Sequence, residues 1–352
     1  MRAARLHAPG QMVVEEVARP VPGARDLLVR VEACGICGSD RHMFRGEYPT
    51  AKPVTLGHEF CGRVEAVGAE VAGVRVGDRV SGDPNIACGV CEACRAGRPN
   101  LCVALSPIGV MRDGGFAEYV LVPEGQAAVL PAGLDPRHGA FCEPVSCCLH
   151  AIDVARIPPG GSVLILGGGV IGLLMLELAR QAGAGSVVVA TRQAPRRELA
   201  LALGASHAIE AGRGHTDTEI LAALPGGADV VFECAGVPET VTQAIRLARR
   251  GGTVVLFGVV PQDDRVQISP FELLTRELRL ESAWLNPRTH QRAAALISAG
   301  ALSLDRLITR TIGLEDVPGV IGAAPAMGEI KVMMTREAPA SGESRDENRA
   351  FP

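Results

Sequence analysis

Apolar positions follow two rhythms along the chain. From Ala3 to about Leu149, short runs such as LLVRVEA, CGRVEAVG, DRVSG and AEYVLVP are rich in β-formers. Gly and Pro punctuate them roughly every eight to twelve residues, which predicts a compact antiparallel β domain. From about Ala151 the rhythm becomes strand then helix: SVLILG, IGLLMLELARQAG, SVVVAT, RRELALALGAS, ADVVFECAG, TVTQAIRLARRGG, TVVLFGVV. Continuous Val/Ile/Leu strands separated by helical segments predict a parallel sheet covered on both faces, a doubly wound domain. The expected fold is therefore α/β, with a mostly-β domain over residues 1–150 and a doubly wound parallel-sheet domain over 151–286. LRLESAW adds a strand, THQRAAALISAGAL reads as a helix, and DRLITRTIGLEDV as a strand leading into a short helix. Residues 287–336 are expected to return to the first domain. Residues 337–352 are polar and aperiodic, which predicts a disordered tail.

Composition narrows the function classes. A chain of 352 residues, 47% apolar and 21% charged, has room for two domains. Its 35 basic and 39 acidic residues leave a formal charge of −4, with no global basic field for nucleic acid or an anionic membrane. Neither is expected as a partner. The apolar stretch from Val163 to Ala179 is short for a bilayer and is interrupted by three glycines and Glu177. The N-terminal MRAARLHAPGQMVVEE lacks a signal-peptide core, so a cytoplasmic setting is expected. Eleven cysteines without an export signal point to metal or thiol chemistry rather than disulfides.

Four of these cysteines, Cys88, Cys91, Cys94 and Cys102, fall in ACGVCEACRAGRPNLC. Four thiolates are a preferred tetrahedral set for zinc, and one loop wraps the ion at little closure cost. Four protein ligands leave no open position, so the expected role is structural. A nucleic-acid-binding finger is disfavoured because the loop lacks a recognition helix and a basic stripe. Cys37 in CGICGSDRH, His58 and Glu59 in GHEF, and Glu143 in CEPVS supply a second, mixed set from three separated segments. Three protein ligands plus water is the arrangement of a catalytic zinc. Cys34 competes with Cys37, but only Cys37 has Ser39 two residues on and His42 five residues on. An alcohol must lose a proton before it loses hydride, and Ser39 and His42 are the candidate inner and outer relays.

Gly167, Gly169 and Gly172 in VLILGGGVIGLL satisfy G-x-G-x-x-G directly between a strand and a helix, the context in which a helix N-terminus receives a dinucleotide pyrophosphate. Val170 and Ile171 are expected along the dinucleotide as backbone donors or packing surface. An acid at the end of the next strand would bind the adenosine ribose and repel a 2′-phosphate. Instead the chain reads SVVVATRQAPRRE, with Thr191 at that place, Arg192 beside it, and Arg196 and Arg197 in the next turn. Guanidinium forks suit phosphate oxygens, so NADP(H) is expected over NAD(H).

Assembled, these residues resemble the zinc-dependent medium-chain dehydrogenase/reductase superfamily over nearly the whole chain. GHEFCGRVEAVGAEV is similar to that superfamily's zinc signature, and the four-cysteine loop, VGDRV, GGFAEYV and GGGVIG are similar in kind and order. CGICGSD with Glu143-Pro144 is most similar to the sorbitol and threonine dehydrogenase branch. The resemblance implies a GroES-like first domain completed by the C-terminal segment, with a Rossmann domain between. It implies catalytic zinc at Cys37 and His58 with Glu59 and Glu143 supplying or alternating in the remaining coordination, and structural zinc at Cys88, Cys91, Cys94 and Cys102. Arg192 and Arg196 match the arginines of some NADP-dependent ketose reductases of the branch. Where sorbitol dehydrogenases carry an Arg-Tyr pair, this chain has Leu285-Asn286, with Trp284, Phe44 and Phe116 as candidate cavity walls. The expected activity is NADP(H)-dependent interconversion of a secondary alcohol (polyol, sugar-derived or amino alcohol) and its ketone, by a homodimer or homotetramer. The rivals are an NAD-dependent threonine or polyol dehydrogenase, a non-catalytic zinc- and NADP(H)-binding sensor, and a zinc-free quinone or enoyl reductase.

Overall fold

The structure, a computed structural model, describes residues 1–336; the expected disordered tail lies outside the described residues. Six parallel strands form one sheet in the spatial order His207–Glu210, Ser186–Thr191, Ser162–Leu166, Ala228–Glu233, Ala248–Leu256, Arg279–Ser282. Numbered along the chain this is 3-2-1-4-5-6, the doubly wound order, whose switch point lies beside the first strand. Val163, Leu164 and Ile165 are wholly buried, as a central strand covered on both faces requires. Burying each such side chain contributes about 1.5–3 kcal/mol. One boundary differs from the periodicity: in TVTQAIRLARRGG the helix stops at Leu247, and Ala248 already begins the next strand. The two glycines that follow, poor helix formers, are consistent with that early stop.

The other sheets are built mainly from the N-terminal half. Strands Arg2–Ala8, Gln11–Glu16 and Val54–Thr55 form a small antiparallel sheet. A larger sheet runs Ile308–Ile312, Lys331–Thr335, Asp26–Gly35, Glu59–Val67, Arg79–Gly82, Ala127–Leu130, with Tyr119–Pro123 also paired to Asp26–Gly35. Lys331–Thr335 is antiparallel to Asp26–Gly35, pairing Met333 with Gly35 and Met334 with Cys34. The C-terminal segment thus supplies two strands to this larger sheet, and residue 331 arrives at the strand end that leads to Cys37.

Helix Cys142–Ala155 joins the two halves. Phe141, Val145 and Cys148 share one apolar core with Cys61 and Leu130 of the β sheet, with Ile165 and Phe232 of the parallel one, and with Leu174 of helix Val170–Gln181. A close-packed core of this kind fixes the first turn of the helix, which carries Glu143. Phe116 is wholly buried in a separate core, where it packs as structure and not as cavity wall; Phe44 packs against the same core, and Trp284 is 41% exposed. No helix among the described residues is long and apolar enough to cross a membrane.

Candidate active site and cofactor cleft

Strand pairing assembles the first cluster. Gly35 lies opposite Glu59 in the register of Asp26–Gly35 with Glu59–Val67, so the residues just beyond Gly35 meet those just before Glu59. Gly35 has to be a glycine here, because a Cβ would sit 2.2 Å from Glu59 Oε2. Cys37 is the N-cap of helix Gly38–Arg45, and Asp40 reaches back so that its Oδ2 accepts the Cys37 N–H at 2.8 Å. The result is that Cys37 Sγ, a His58 ring nitrogen and a Glu59 carboxylate oxygen lie within 4.8 Å of one another. Thiolate, imidazole and carboxylate are a donor set that suits zinc.

Two residues that the sequence reading missed complete this cluster. Asp40 is wholly buried, and its Oδ1 faces His58 Nδ1 at 3.4 Å, an ion-pair distance; neither atom has another partner among the described residues. Burial lowers the His58 pKa, but the Asp40 carboxylate and the neighbouring Cys37 outweigh it and raise it well above the ordinary value. A carboxylate behind a ligating histidine fixes its tautomer and raises its basicity. The signal was the Asp directly after Ser39. Lys331 is the second. Its Nζ donates to Glu59 Oε2 at 2.5 Å and to the Ile36 carbonyl at 3.1 Å, with both charged side chains at most 2% exposed.

The remaining expected residues are placed as follows. Ser39 Oγ is 3.3 Å from His58 Nε2. His42 is partly exposed, with Nδ1 2.6 Å from Glu47 Oε2, and no hydrogen bond joins it to Ser39 among the described residues. Glu143 is buried but stands outside the three-residue cluster, its Oε1 accepting from Cys147 Sγ at 3.3 Å. Burial pushes its carboxyl up to about 7, with the charge of Glu59 adding and His58 opposing. Behind it, Asn286 is 2% exposed and donates to Ser146 Oγ (2.8 Å) and Asp83 Oδ1 (3.1 Å), while Ser146 Oγ donates to the Glu143 carbonyl. Asn286 therefore braces the helix that carries Glu143.

Cys88, Cys91, Cys94 and Cys102 also bring four sulfurs within 4.8 Å. The short helix Glu92–Arg95 and the turn Pro99–Leu101 fold the loop back on itself. Backbone N–H groups of Cys88, Cys91 and Ala104 already point at Cys88 or Cys102 sulfurs. Backbone N–H groups hold the Cys91 thiol down to about 6, which favours the ligating thiolate.

On the parallel sheet, a cavity of about 660 Å³ is lined by Gly167, Gly168, Gly169, Thr191, Arg192 and Arg196, among others. Gly169 caps helix Val170–Gln181, and a Cβ at Gly172 would lie 1.8 Å from the Gly167 carbonyl, so only glycine lets the turn close onto the helix. Val170 and Ile171 open that helix and pack against the shared core; neither they nor Gly172 lines the cavity. Thr191 is 5% exposed at the strand end, against Gly168. Arg197 turns away and donates to the Thr191 and Arg192 carbonyls.

Residues 23–132 match the family of alcohol dehydrogenase GroES-like domains, and residues 170–299 that of zinc-binding dehydrogenases. The chain is 33% identical to a sorbitol dehydrogenase of Halalkalibacterium halodurans, over 94% of this chain and 97% of that protein. It is 33% identical to D-arabitol-phosphate dehydrogenase of Enterococcus avium, over 95% and 97%. A crystal structure from Sinorhizobium meliloti 1021, assigned provisionally as a zinc-binding dehydrogenase and bound to NADP, is 53% identical, with a TM-score of 0.92 over 95% of this chain and 98% of that one. The chain belongs to the zinc-dependent medium-chain dehydrogenase/reductase superfamily, in its sorbitol-dehydrogenase-like branch, and is an NAD(P)-dependent alcohol dehydrogenase.

Proposed function

We propose that this enzyme uses NADP(H) to interconvert a secondary alcohol, of polyol, sugar-derived or amino-alcohol class, and its ketone. The observation that carries the chemistry is the convergence of Cys37, His58 and Glu59 within 4.8 Å, with the Ser39 hydroxyl 3.3 Å from His58. Cys37 and His58 hold the catalytic zinc, with Glu59 and Glu143 supplying or alternating in the rest of its coordination. Cys88, Cys91, Cys94 and Cys102 hold a second, structural ion. When bound, zinc supplies Lewis-acid polarisation of the substrate oxygen, and the nicotinamide supplies or accepts hydride. Asp40 holds His58 in orientation, and Lys331 holds Glu59. Ser39 Oγ would take the substrate hydroxyl proton as it gives up its own toward solvent, with His42, at the surface and sharing no hydrogen bond with Ser39 among the described residues, as the outer relay. The pairing of Glu59 with Lys331 supports Glu143 as the freer of the two carboxylates.

Support for the phosphorylated dinucleotide comes from Thr191, Arg192 and Arg196 at the place where an acid would repel a 2′-phosphate. The relative solved with NADP agrees with this reading. We further assign residues 1–150, completed by 287–336, to the catalytic lobe and 151–286 to the cofactor lobe, in a cytoplasmic homodimer or homotetramer. Eleven unpaired thiols suit a reducing compartment. A panel of alcohols and ketones, followed by the absorbance of the reduced nicotinamide with each cofactor, tests the activity. Arg192→Asp is expected to move the preference toward NAD(H) by about tenfold or more. An unchanged preference removes the phosphate assignment.

A further inference from the structure

The second arginine of the cofactor cavity is anchored from the opposite lobe. Arg196 stands in the first turn of helix Ala194–Ala202, and its Nη2 donates to the Glu329 carbonyl at 2.7 Å. Its Nε is buried and has no hydrogen-bond partner among the described residues. Burial, together with the charge of Arg192 across the cavity, lowers its pKa, while Glu329 opposes that. Arg192 and Arg196 both line this cavity, and a pair of guanidinium forks suits the oxygens of a phosphate.

Glu329 is itself held. Its Oε1 accepts from Arg41 Nη2 at 3.1 Å, with the two side chains 12% and 10% exposed. Arg41 also donates to the carbonyls of Val320 and Ala323. A parallel tie runs from Gly328 N–H to Gln193 Oε1, at 2.8 Å. Arg41 belongs to helix Gly38–Arg45, which is capped by Cys37 and carries Ser39. One chain of contacts, Arg41 to Glu329 to Arg196, therefore runs from the catalytic helix to the cofactor cavity. It passes through residues 323–330, a segment between helix Val317–Gly322 and strand Lys331–Thr335.

We propose that Glu329 is a specificity-determining positioning residue: clamped by Arg41, it presents a backbone carbonyl that pre-orients Arg196 for the 2′-phosphate of NADP(H). This rests on the NADP(H) reading above and extends it from the cofactor lobe to the catalytic one. The physical reason is side-chain entropy. A free arginine loses its rotamer freedom when a ligand fixes it, and a pre-oriented one loses less on binding. NADH, which lacks the phosphate, gains nothing from that pre-orientation.

Titration of NADPH and NADH into the zinc-loaded protein, followed by nicotinamide fluorescence, tests this without recourse to turnover. Glu329→Ala is expected to weaken NADPH about tenfold while leaving NADH within about twofold. Glu329→Gln keeps the size and loses the charge, and is expected to show the same split at about threefold. In an Arg196→Ala background, Glu329→Ala is expected to add nothing, because its effect passes through the missing guanidinium. Equal losses for both cofactors, no loss for either, or additive losses in the double variant would overturn the proposal. Should the unsubstituted protein bind NADH as tightly as NADPH, the cofactor reading itself fails, and the assignment of Glu329 falls with it. If Glu329→Ala does not fold, the Gln variant and its cycle with Arg196→Ala decide the question.

Discussion

The four cysteines of the 88–102 loop come from fifteen consecutive residues and, Cys102 apart, are exposed or half-buried. Cys37, His58 and Glu59 come from a helix cap and the mouth of a strand, and His58 and Glu59 are buried. The first cluster is all sulfur, and backbone N–H groups of the loop point at its sulfurs. The second mixes three donor types, and two of its members face a buried group of opposite charge: His58 faces Asp40, and Glu59 faces Lys331. A saturated, self-contained loop can stabilise its surroundings and do little else. An unsaturated cluster held by buried counter-charges keeps its geometry while leaving room for a substrate.

Removing one thiolate from each cluster exposes this contrast most sharply. Cys37→Ser is expected to lower turnover at least about a thousandfold, about 4 kcal/mol at the transition state. Metal content should fall from two ions per chain to one, with the unfolding temperature within a few degrees of the parent. Cys94→Ser is expected to do the reverse: one ion lost, a clear fall in unfolding temperature, and turnover per folded molecule within about threefold. Metal analysis, calorimetry and steady-state rates separate the two. If both variants lose activity and stability alike, the division into a catalytic and a structural cluster is wrong.

The buried ion pair comes next. Lys331→Met leaves the Glu59 carboxylate without its partner in a site at most 2% exposed, and breaking such a pair costs about 3–5 kcal/mol. We expect a loss of stability near the lower bound of that range. Adding Glu59→Gln should recover part of it. Denaturant midpoints of the single and double variants check this, and a double variant no better than Lys331→Met alone would show that the charge on Glu59 is not what Lys331 answers.

Legibility in the sequence tracks the same contrast. The cysteine loop and the glycine turn were readable because their chemistry depends on residues within fifteen positions of each other. The doubly wound half was readable because its strands, such as SVLIL and ADVVFE, are continuous apolar runs. Lys331 was not readable: it opens the strand KVMMT, looks like a solvated strand end, and meets Glu59 only through the pairing of Met333 with Gly35, 272 residues from its partner. Glu329 escaped for the same reason, since only the tertiary fold brings it between Arg41 and Arg196. Glu143 was named from its segment, yet its carboxylate is turned toward Cys147, a side-chain direction that no spacing encodes.

The smallest effect tests the inner edge of the comparison, the carboxylate behind His58. Asp40 does two things at once, since Oδ2 accepts the Cys37 N–H and Oδ1 faces His58 Nδ1. Asp40→Asn retains a carbonyl oxygen for the cap and removes the charge. Stability should therefore change by less than about 1 kcal/mol, the size of a whole cap. The imidazole loses the partner that fixes its tautomer and raises its basicity, and zinc affinity at the Cys37 cluster should fall about tenfold, at most a hundredfold. Asp40→Ala removes both contacts and should add the capping loss to the same fall in affinity. Competition with a chelator reads the affinity, and thermal unfolding of the same samples reads the cap. If Asp40→Asn and Asp40→Ala are equally destabilised and both bind zinc like the parent, Asp40 serves the helix alone, and the histidine takes its orientation from packing.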